Sequence, residues 1–204
     1  MITFIGDAAT STKYTPPGFP TLVGQTLGIP IHNLAVVSAL RHSVSYHVLE
    51  ALREQLPTVP PDTTDAVVFL GTDDLDTMAN GPTAVEAVEA QFLRLTSTLK
   101  SAGIRVHLVT VRNYSQDPSY SRPQIQDKSA WQARMQGATD TFDDWMLTLG
   151  FPTLDVRRYP DLMANASYRN GVVFSPPGLN KIAAHVASWF QKCDRDHCVP
   201  MKTL

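Results

Sequence analysis

A run of five apolar residues, Ala66–Leu70, constrains the fold of this chain more than any other feature, and it reads AVVFL. A strand that is apolar at every position is buried on both faces, as a central strand of a parallel sheet is. Four other segments are candidate strands: Ile2–Ile5, Ile31–Val37, Ile104–Val111 and Thr153–Val156. We therefore expect a parallel sheet of about five strands.

These strands alternate with segments in which apolar residues recur at every third or fourth position. The clearest segments cover residues 40–52, 85–99, 131–149 and 179–189. Thr83 and Glu86 have the spacing of a capping box before the second segment, and Ser175 with Pro176 can start the last one. The alternation predicts a three-layer α/β/α sandwich with right-handed crossovers.

Length favours a single domain. The chain has 204 residues, which is enough to bury a core without the help of a metal ion or a disulfide. We assign residues 1–192 to an α/β domain and residues 193–204 to a C-terminal tail that is a candidate interaction segment. The stretches Thr12–Gly28 and Asn113–Gln126 contain many turn-forming residues and are predicted to be surface loops.

Charge and hydropathy argue against several function classes. The formal net charge is −2, which provides no basic surface for nucleic acid. No segment approaches the roughly 18 apolar residues of a membrane-spanning helix. The N-terminal sequence, MITFIGDAAT, lacks the basic and apolar regions of a signal peptide. We therefore expect a protein that is made in the cytoplasm and that leaves the cell, if it does, inside a particle.

Three sequence blocks stand after predicted strands or before the last predicted helix. They are FIGDAAT at residues 4–10, LGTDD at residues 70–74 and NGVVFSPPG at residues 170–178. In this order they resemble three blocks of the SGNH (GDSL) hydrolases, F-x-G-D-S-x-T, G-x-N-D and D-G-V-H-F-S-P-x-G, and the resemblance spans residues 2–192. It implies the α/β fold of that family. The family's chemistry is ester hydrolysis by a Ser-His-Asp triad, with Gly and Asn helping to bind the oxyanion.

The residues that would carry this chemistry are replaced here. The resemblance places Ala8 at the nucleophile position, Val173 at the general base and Asn170 at the acid. Alanine has no oxygen that can attack a carbonyl carbon, and valine cannot accept a proton. We therefore assign no catalytic residue and regard these positions as vestiges of a site.

The oxyanion-binding positions are altered as well. Asp73 takes the place of the family's asparagine, and a carboxylate there would repel a developing oxyanion. The segment NLAVVSAL aligns with the second block of the family so that Ser38 takes the place of its glycine. Asp7, Gly71 and Asp74 match the pattern, and we expect them mainly to shape turns.

Other residues offer alternative chemistry. Thr10 and Ser11 follow Ala8 closely, and Ser11 is the alternative nucleophile of an active O-acyl-ester hydrolase; otherwise both hydroxyls brace the turn. Asp73, Asp74 and Asp76 carry oxygen atoms that suit Ca²⁺ or Mg²⁺, but their spacing matches no defined metal-binding loop. A solvated acidic turn is the simpler interpretation, and we expect neither a metal ion nor a cofactor.

The histidines and cysteines favour structural roles. We interpret the histidines of the predicted helices and strands as core or surface residues. They are His42, His47, His107 and His185. The tail contains Cys193, His197 and Cys198, at a spacing unlike that of zinc sites and without a fourth ligand. Two free thiols are expected, with an intermolecular disulfide as the alternative.

Taken together, these residues predict a non-catalytic SGNH-like domain that acts as a structural or interaction subunit of a larger assembly, for which a virus or phage particle is the leading candidate. Charged residues make up 18% of the chain, which suits a surface that is buried against other protein subunits. A carbohydrate ligand is a further expectation, by analogy with esterases of acylated carbohydrates. Three aromatic residues that resemble a carbohydrate platform are expected in the core instead: Trp131, Phe142 and Trp145.

Overall fold

A computed structural model describes residues 1–13, 15–35, 47–115, 126–169 and 173–196. Its main sheet consists of β1 Ile2–Gly6, β2 Ile31–Asn33, β3 Asp65–Phe69, β4 Arg105–Val109 and β5 Thr153–Leu154. All neighbouring strands are parallel, in the order β2-β1-β3-β4-β5. The predicted parallel α/β sheet is confirmed.

The helices of the described residues are α1 Phe19–Leu27, α2 His47–Glu50, α3 Leu75–Met78, α4 Pro82–Ser101, α5 Lys128–Thr148, α6 Pro160–Met163 and α7 Pro176–Asp196. After α2 the chain continues as a π-helical turn, Ala51–Gln55, and a 3-10 turn, Leu56–Thr58. Two short strands, β6 Tyr168–Arg169 and β7 Val173–Phe174, pair antiparallel before α7. In the part of the chain that the structure describes, no helix has the length and apolar character to cross a membrane.

The core explains the continuous apolar run of the central strand. β3 is buried at every residue, because helices cover the sheet. One helix pair, α1 with α7, packs over a cluster of phenylalanine rings: Phe4, Phe19, Phe69 and Phe174. A second group consists of α2, α4 and α5. In that group Phe142 is fully buried and stacks on Trp145 at 5.5 Å, so these aromatic residues pack in the core rather than form an exposed platform.

The prediction of a surface loop over Thr12–Gly28 is wrong for its second half, which forms α1. Pro20 lies in the first turn of this helix, where the missing N–H costs no hydrogen bond. Phe19 and Val23 are buried, which gives the helix its apolar face. Gly28 ends the helix in the left-handed conformation, with φ at 66°. The turn-forming residues of this stretch therefore bound a helix rather than exclude one.

The predicted N-terminal cap is wrong for α4 and confirmed for α7. α4 begins at Pro82 without a side-chain cap, so the predicted capping box of Thr83 and Glu86 is wrong. Proline at the first position has a fixed φ that starts the helix one residue before Thr83. At α7 the Ser175 hydroxyl oxygen accepts the Gly178 N–H at 3.3 Å, which confirms Ser175 as the N-cap.

The last helix extends beyond the predicted domain boundary. α7 runs to Asp196, four residues into the segment 193–204 that was assigned to the tail. Cys193 is disulfide-bonded, and its partner lies outside the described residues. The prediction of two free thiols is therefore wrong for Cys193. Ideal helical geometry holds residues five apart too far from each other for a disulfide only while both lie in the helix, and the described part of α7 ends at Asp196. His197 and Cys198 lie outside the described residues.

Candidate functional site

Asp7 lies in the turn that follows β1, and its buried carboxylate joins the turns after two neighbouring strands. Oδ1 accepts the Ala9 N–H at 3.3 Å within its own turn. Oδ2 accepts two N–H groups of the turn after β3, from Gly71 at 3.2 Å and from Asp73 at 3.3 Å. These turns are adjacent because β1 and β3 pair in parallel. Asp7 therefore shapes the edge of the sheet at which α/β proteins usually bind ligands.

The electrostatics of this edge centre on Asp7. Burial raises the pKa of Asp7 well above the ordinary value of an aspartate, and the nearby carboxylates of Asp73 and Asp74 raise it further. The hydrogen bond from the Asp73 N–H lowers it in part. The raised pKa favours the neutral carboxyl compared with an exposed aspartate. The stability that this group contributes is present at low pH and is lost as the pH rises through the folded-state pKa.

Ala8 occupies the position at which the resemblance expects a nucleophile. Its side chain is a methyl group, and the residue is only 3% exposed. The Ala8 N–H donates to Asp73 Oδ2 at 3.2 Å, so this amide is hydrogen-bonded to a carboxylate from the turn after β3. Asp73 is itself half-buried and therefore accessible from solvent. The structure thus brings three of the predicted site residues together: Asp7, Ala8 and Asp73.

Two further side chains hold the same turns in place. Asp74 is fully buried, and its Oδ2 accepts the Val48 N–H at 3.2 Å, which ties the turn after β3 to α2. The Gln55 side chain accepts the Gly6 N–H at 3.1 Å and donates to the Gly6 carbonyl at 2.8 Å. Gln55 belongs to none of the three sequence blocks. Its one signal is a polar side chain four residues after Ala51, on the apolar face of a helix.

The hydroxyl groups of Thr10 and Ser11 are buried and form hydrogen bonds. The Thr10 hydroxyl donates to the Phe69 carbonyl at 3.4 Å. The Ser11 hydroxyl oxygen accepts the Lys13 N–H at 3.1 Å. Asn33, the last residue of β2, donates through Nδ2 to the Thr10 carbonyl at 3.1 Å and was missed by the sequence analysis. In these contacts the hydroxyls brace the turn after β1.

The strand β7 returns the chain to the same part of the fold. Val173, the position of the family's general base, is half-buried at the start of β7. The ring of Phe174 packs against that of Phe69, the last residue of β3, with the centroids 6.3 Å apart. The segment that contains Val173 therefore lies near the carboxyl end of β3. Asn170 and Ser38, two other predicted site positions, lie outside the described residues.

The buried and half-buried histidines of the described residues pair with carboxylates of their own. His107 Nε2 lies 2.9 Å from Asp65 Oδ1, at the amino end of β3, which is the opposite end of the sheet from Asp7. His185 Nε2, on α7, lies 3.0 Å and 3.1 Å from the two carboxylate oxygens of Asp161. His42 and His47 were also predicted to be structural. Their side chains lie outside the part of the chain that the structure describes.

The acidic residues after β3 accept hydrogen bonds from the protein's own donors. Asp76 Oδ2 accepts the Tyr114 hydroxyl at 2.9 Å, which links α3 to the segment after β4. Asp73 and Asp74 accept the backbone N–H groups of Ala8 and Val48. Across the described residues, no group of three or more His, Cys, Asp or Glu side chains is arranged to hold a metal ion.

Comparison with known proteins relates this chain to others by its fold. No family model matches the sequence, and no curated protein matches it. Solved structures do match. A lipolytic protein of the G-D-S-L family from Desulfitobacterium hafniense has a TM-score of 0.62 at 14% identity, over 92% of this chain and 98% of the other. A GDSL-like lipase from Bacteroides thetaiotaomicron has a TM-score of 0.62 at 15% identity, over 94% and 88%.

A third structure extends the likeness over almost the whole chain. The lipase/acylhydrolase from Enterococcus faecalis has a TM-score of 0.58 at 16% identity, and the match covers 99% of this chain and 98% of the other. At these identities the likeness concerns the fold. The chain therefore has the fold of the SGNH (GDSL) hydrolases, as its three sequence blocks predict, and its structural neighbours are esterases and lipases.

Proposed function

We propose that this SGNH-like domain is non-catalytic and acts as a structural or interaction subunit. The observation that carries the proposal is the environment of Ala8. A methyl group stands at the nucleophile position, in the turn directly after β1, and it can neither attack an ester nor be activated by a base. The fold is kept while the reacting atom is replaced.

The position of Asp73 supports the same proposal. Hydrolysis of an ester needs donors directed at the oxygen that becomes negative in the transition state. The Ala8 N–H could be such a donor, but it already donates a hydrogen bond to the Asp73 carboxylate at 3.2 Å. An oxyanion at this position would meet a negative charge instead of a donor, and the tetrahedral intermediate would be disfavoured.

The placement of the histidines is consistent with this proposal. Val173 has no atom that accepts a proton. His107 and His185, the histidines of the described residues that pair with carboxylates, do so with Asp65 and Asp161 rather than with a residue of the turn after β1. The competing function is an O-acyl-ester hydrolase that uses Ser11. It is favoured by the names of the structural neighbours, which are esterases and lipases.

An ester assay tests the proposal. The wild-type chain is expected to hydrolyse p-nitrophenyl acetate and butyrate at the rate of a heat-inactivated sample. Ala8→Ser is expected to stay at this background, because Val173 supplies no base and Asp73 still opposes the oxyanion. Ser11→Ala is the matched control for the competing function. Wild-type turnover that disappears in Ser11→Ala would establish the hydrolase instead, and turnover by Ala8→Ser would show that another residue acts as the base.

The interaction role is proposed to use the C-terminal tail. Residues 197–204 include the apolar Val199 and Met201, and ordering such a segment costs roughly 1–2 kcal/mol per residue, which contact with another subunit can offset. We expect the full chain to self-associate or to bind a subunit of its assembly, a virus particle being the leading candidate. A carbohydrate ligand is the further proposal by analogy, since one structural neighbour is an acetyl xylan esterase.

Removal of residues 197–204 is expected to leave the domain folded and to weaken its association. The measurement is sedimentation velocity over a range of concentrations, with circular dichroism as the test of folding. Because the deletion also removes Cys198, the full-length Cys193→Ser variant is the control for loss of the disulfide. Unchanged association of the folded deletion variant, or its unfolding, would contradict the interaction role of the tail.

A further inference from the structure

Asp143, on α5, carries a fully buried carboxyl group that is bound at only one of its oxygens. Oδ1 accepts the N–H of Val111, two residues after the end of β4, at 3.0 Å. Oδ2 is buried and has no hydrogen-bond partner among the residues that the structure describes. An ionised carboxylate in the interior needs donors at both oxygens, whereas a neutral carboxyl group leaves only a hydroxyl unpaired, which costs far less. The contacts of Asp143 therefore match its neutral form.

A cation lies beside this carboxyl group but is bound to other carboxylates. Arg157 Nε is 3.8 Å from Asp143 Oδ2. The same Nε donates to Asp155 Oδ1 at 2.9 Å, and Nη1 donates to Asp144 Oδ1 at 2.8 Å. The Asp144 side chain is 70% exposed, and an ion pair in contact with water contributes little stability. An ionised Asp143 would attract the guanidinium more strongly than Asp144 does, because water is excluded from its surroundings.

Charged groups of two elements act on Asp143: Asp140 of α5, and Asp155 and Arg157 of the segment after β5. Burial raises the pKa of Asp143 well above the ordinary value of an aspartate, and the carboxylates of Asp155 and Asp140 raise it further. The Val111 N–H and the charge of Arg157 lower it in part. Of the three charged groups, only Arg157 favours the ionised form, so ionisation of Asp143 draws the guanidinium towards it.

We propose that Asp143 and Arg157 form a pH-dependent switch, in which the Arg157 guanidinium moves from Asp144 to Asp143 when Asp143 loses its proton to the solvent. The bond to Asp144 Oδ1 breaks, and a bond to Asp143 Oδ2 forms in its place. Arg157 belongs to the 3-10 turn Val156–Arg158, which leads directly into α6, so the exchange repositions the connection between β5 and α6. Neither ester hydrolysis nor association with a partner enters this switch.

Carboxyl ¹³C signals of the wild-type chain, followed by NMR as the pH is raised, provide the test. The Asp143 Cγ signal is expected to titrate well above the range of an ordinary aspartate. The Asp144 Cγ signal should change in an additional step with the same midpoint, because Asp144 loses the guanidinium at that point. Asp62, an exposed aspartate near the amino end of β3, is the internal control and should show no step at this midpoint.

Three results would overturn the proposal. The first is ionisation of Asp143 within the ordinary range of an aspartate, which would mean that the carboxyl group is already charged in the described arrangement. The second is titration of Asp143 without a matching step at Asp144, which would leave no role for the arginine. The third is unfolding of the chain, followed by circular dichroism, before Asp143 ionises.

Variants assign the step to its two partners. Asp143→Asn keeps an oxygen for the Val111 N–H but cannot ionise, so the additional step at Asp144 should disappear. Arg157→Gln removes the moving cation and should lower the acid dissociation constant of Asp143 by at least about tenfold, the factor that corresponds to one hydrogen bond to a charged group.

Arg158→Gln is the matched control for Arg157→Gln. It removes a neighbouring cation that lies 3.7 Å from Asp155 Oδ2 instead, and it should change the dissociation constant of Asp143 by less than about threefold. Equal effects of the two arginine variants, or an Asp144 step that persists in Asp143→Asn, would overturn the proposal. If a variant does not fold, the signals of Asp143 and Asp144 in the wild type still decide the question.

Discussion

Replacement of Asp65 by asparagine is expected to lower the free energy of unfolding by about 3 kcal/mol. Both carboxylate oxygens of this buried residue are in use. Arg105 approaches through Nε at 2.8 Å from Oδ1 and through Nη2 at 2.8 Å from Oδ2, and His107 Nε2 lies 2.9 Å from Oδ1. An asparagine offers one oxygen and one NH₂ group, so one of these donors would face another donor.

The effect reaches the core through His107. The residue is 5% exposed, and its ring packs against the rings of Trp189 and Phe190 on α7, with centroids 5.6 Å and 4.6 Å away. Loss of the Asp65 acceptor would leave this buried ring without its described hydrogen bond. Urea denaturation is the measurement. Asp62→Asn, an exposed aspartate three positions earlier, is the control and should change stability by less than about 0.5 kcal/mol.

The same residue predicts a pH dependence. Burial alone would raise the pKa of Asp65, but hydrogen bonds from His107 and Arg105 lower it to about 2. A carboxyl whose folded-state pKa lies below its unfolded value stabilises the fold above about pH 4 and loses that contribution as the pH falls towards 2. The shift corresponds to about 2 kcal/mol, so the difference in stability between wild type and Asp65→Asn should shrink by that amount over this range.

Other carboxyl groups act in the opposite sense, which is why the comparison uses a difference between two proteins. Burial raises the pKa of Asp7 and also that of Asp143, whose Oδ1 accepts the Val111 N–H at 3.0 Å. Their contributions are lost as the pH rises, and both are present in the wild type and in the variant. A pH-independent difference between the two proteins would mean that the Asp65 contacts do not stabilise its charged form.

The sequence predicts those parts of the fold that depend on local pattern. Ala66–Leu70 identified the central strand because burial on both faces favours apolar residues along it, although the strand itself begins one residue earlier, at the buried Asp65. The same kind of reasoning missed α1, since Pro20 and Gly28 suit a loop as well as they suit the two ends of a helix. Such residues mark boundaries, and the buried partners on α7 decide what lies between them.

The candidate site could be predicted only in part, because its bonds join distant segments. The blocks of the sequence place Ala8 and Asp73 at the ends of neighbouring strands, which follows from parallel pairing. The hydrogen bond between the Ala8 N–H and the Asp73 carboxylate depends on the detailed backbone path of two turns. Gln55, which bonds to both backbone groups of Gly6, belongs to no block and had no motif to reveal it.

Gly178, the last residue of the third block, packs against the backbone of Ser167. Gly178→Ala is expected to destabilise the protein by at least about 3 kcal/mol. A Cβ atom at this position would lie 1.8 Å from the Ser167 carbonyl oxygen and 2.7 Å from its carbon. These are backbone atoms, which cannot rotate away as the end of a side chain can. The Ser167 carbonyl also accepts the Ser175 N–H at 2.9 Å, which fixes it beside the start of α7.

Gly137 provides a matched control with the opposite expected sign. It is an exposed glycine inside α5, and a Cβ atom there would meet nothing within 4 Å. Because alanine is the better helix former by roughly 1 kcal/mol, Gly137→Ala should stabilise the protein by about that amount. Thermal and urea unfolding of both variants measure the two effects. If Gly178→Ala is as stable as the wild type, α7 can move away from Ser167 at little cost. Close packing against Ser167 would then not be the reason for a glycine at this position of the third block.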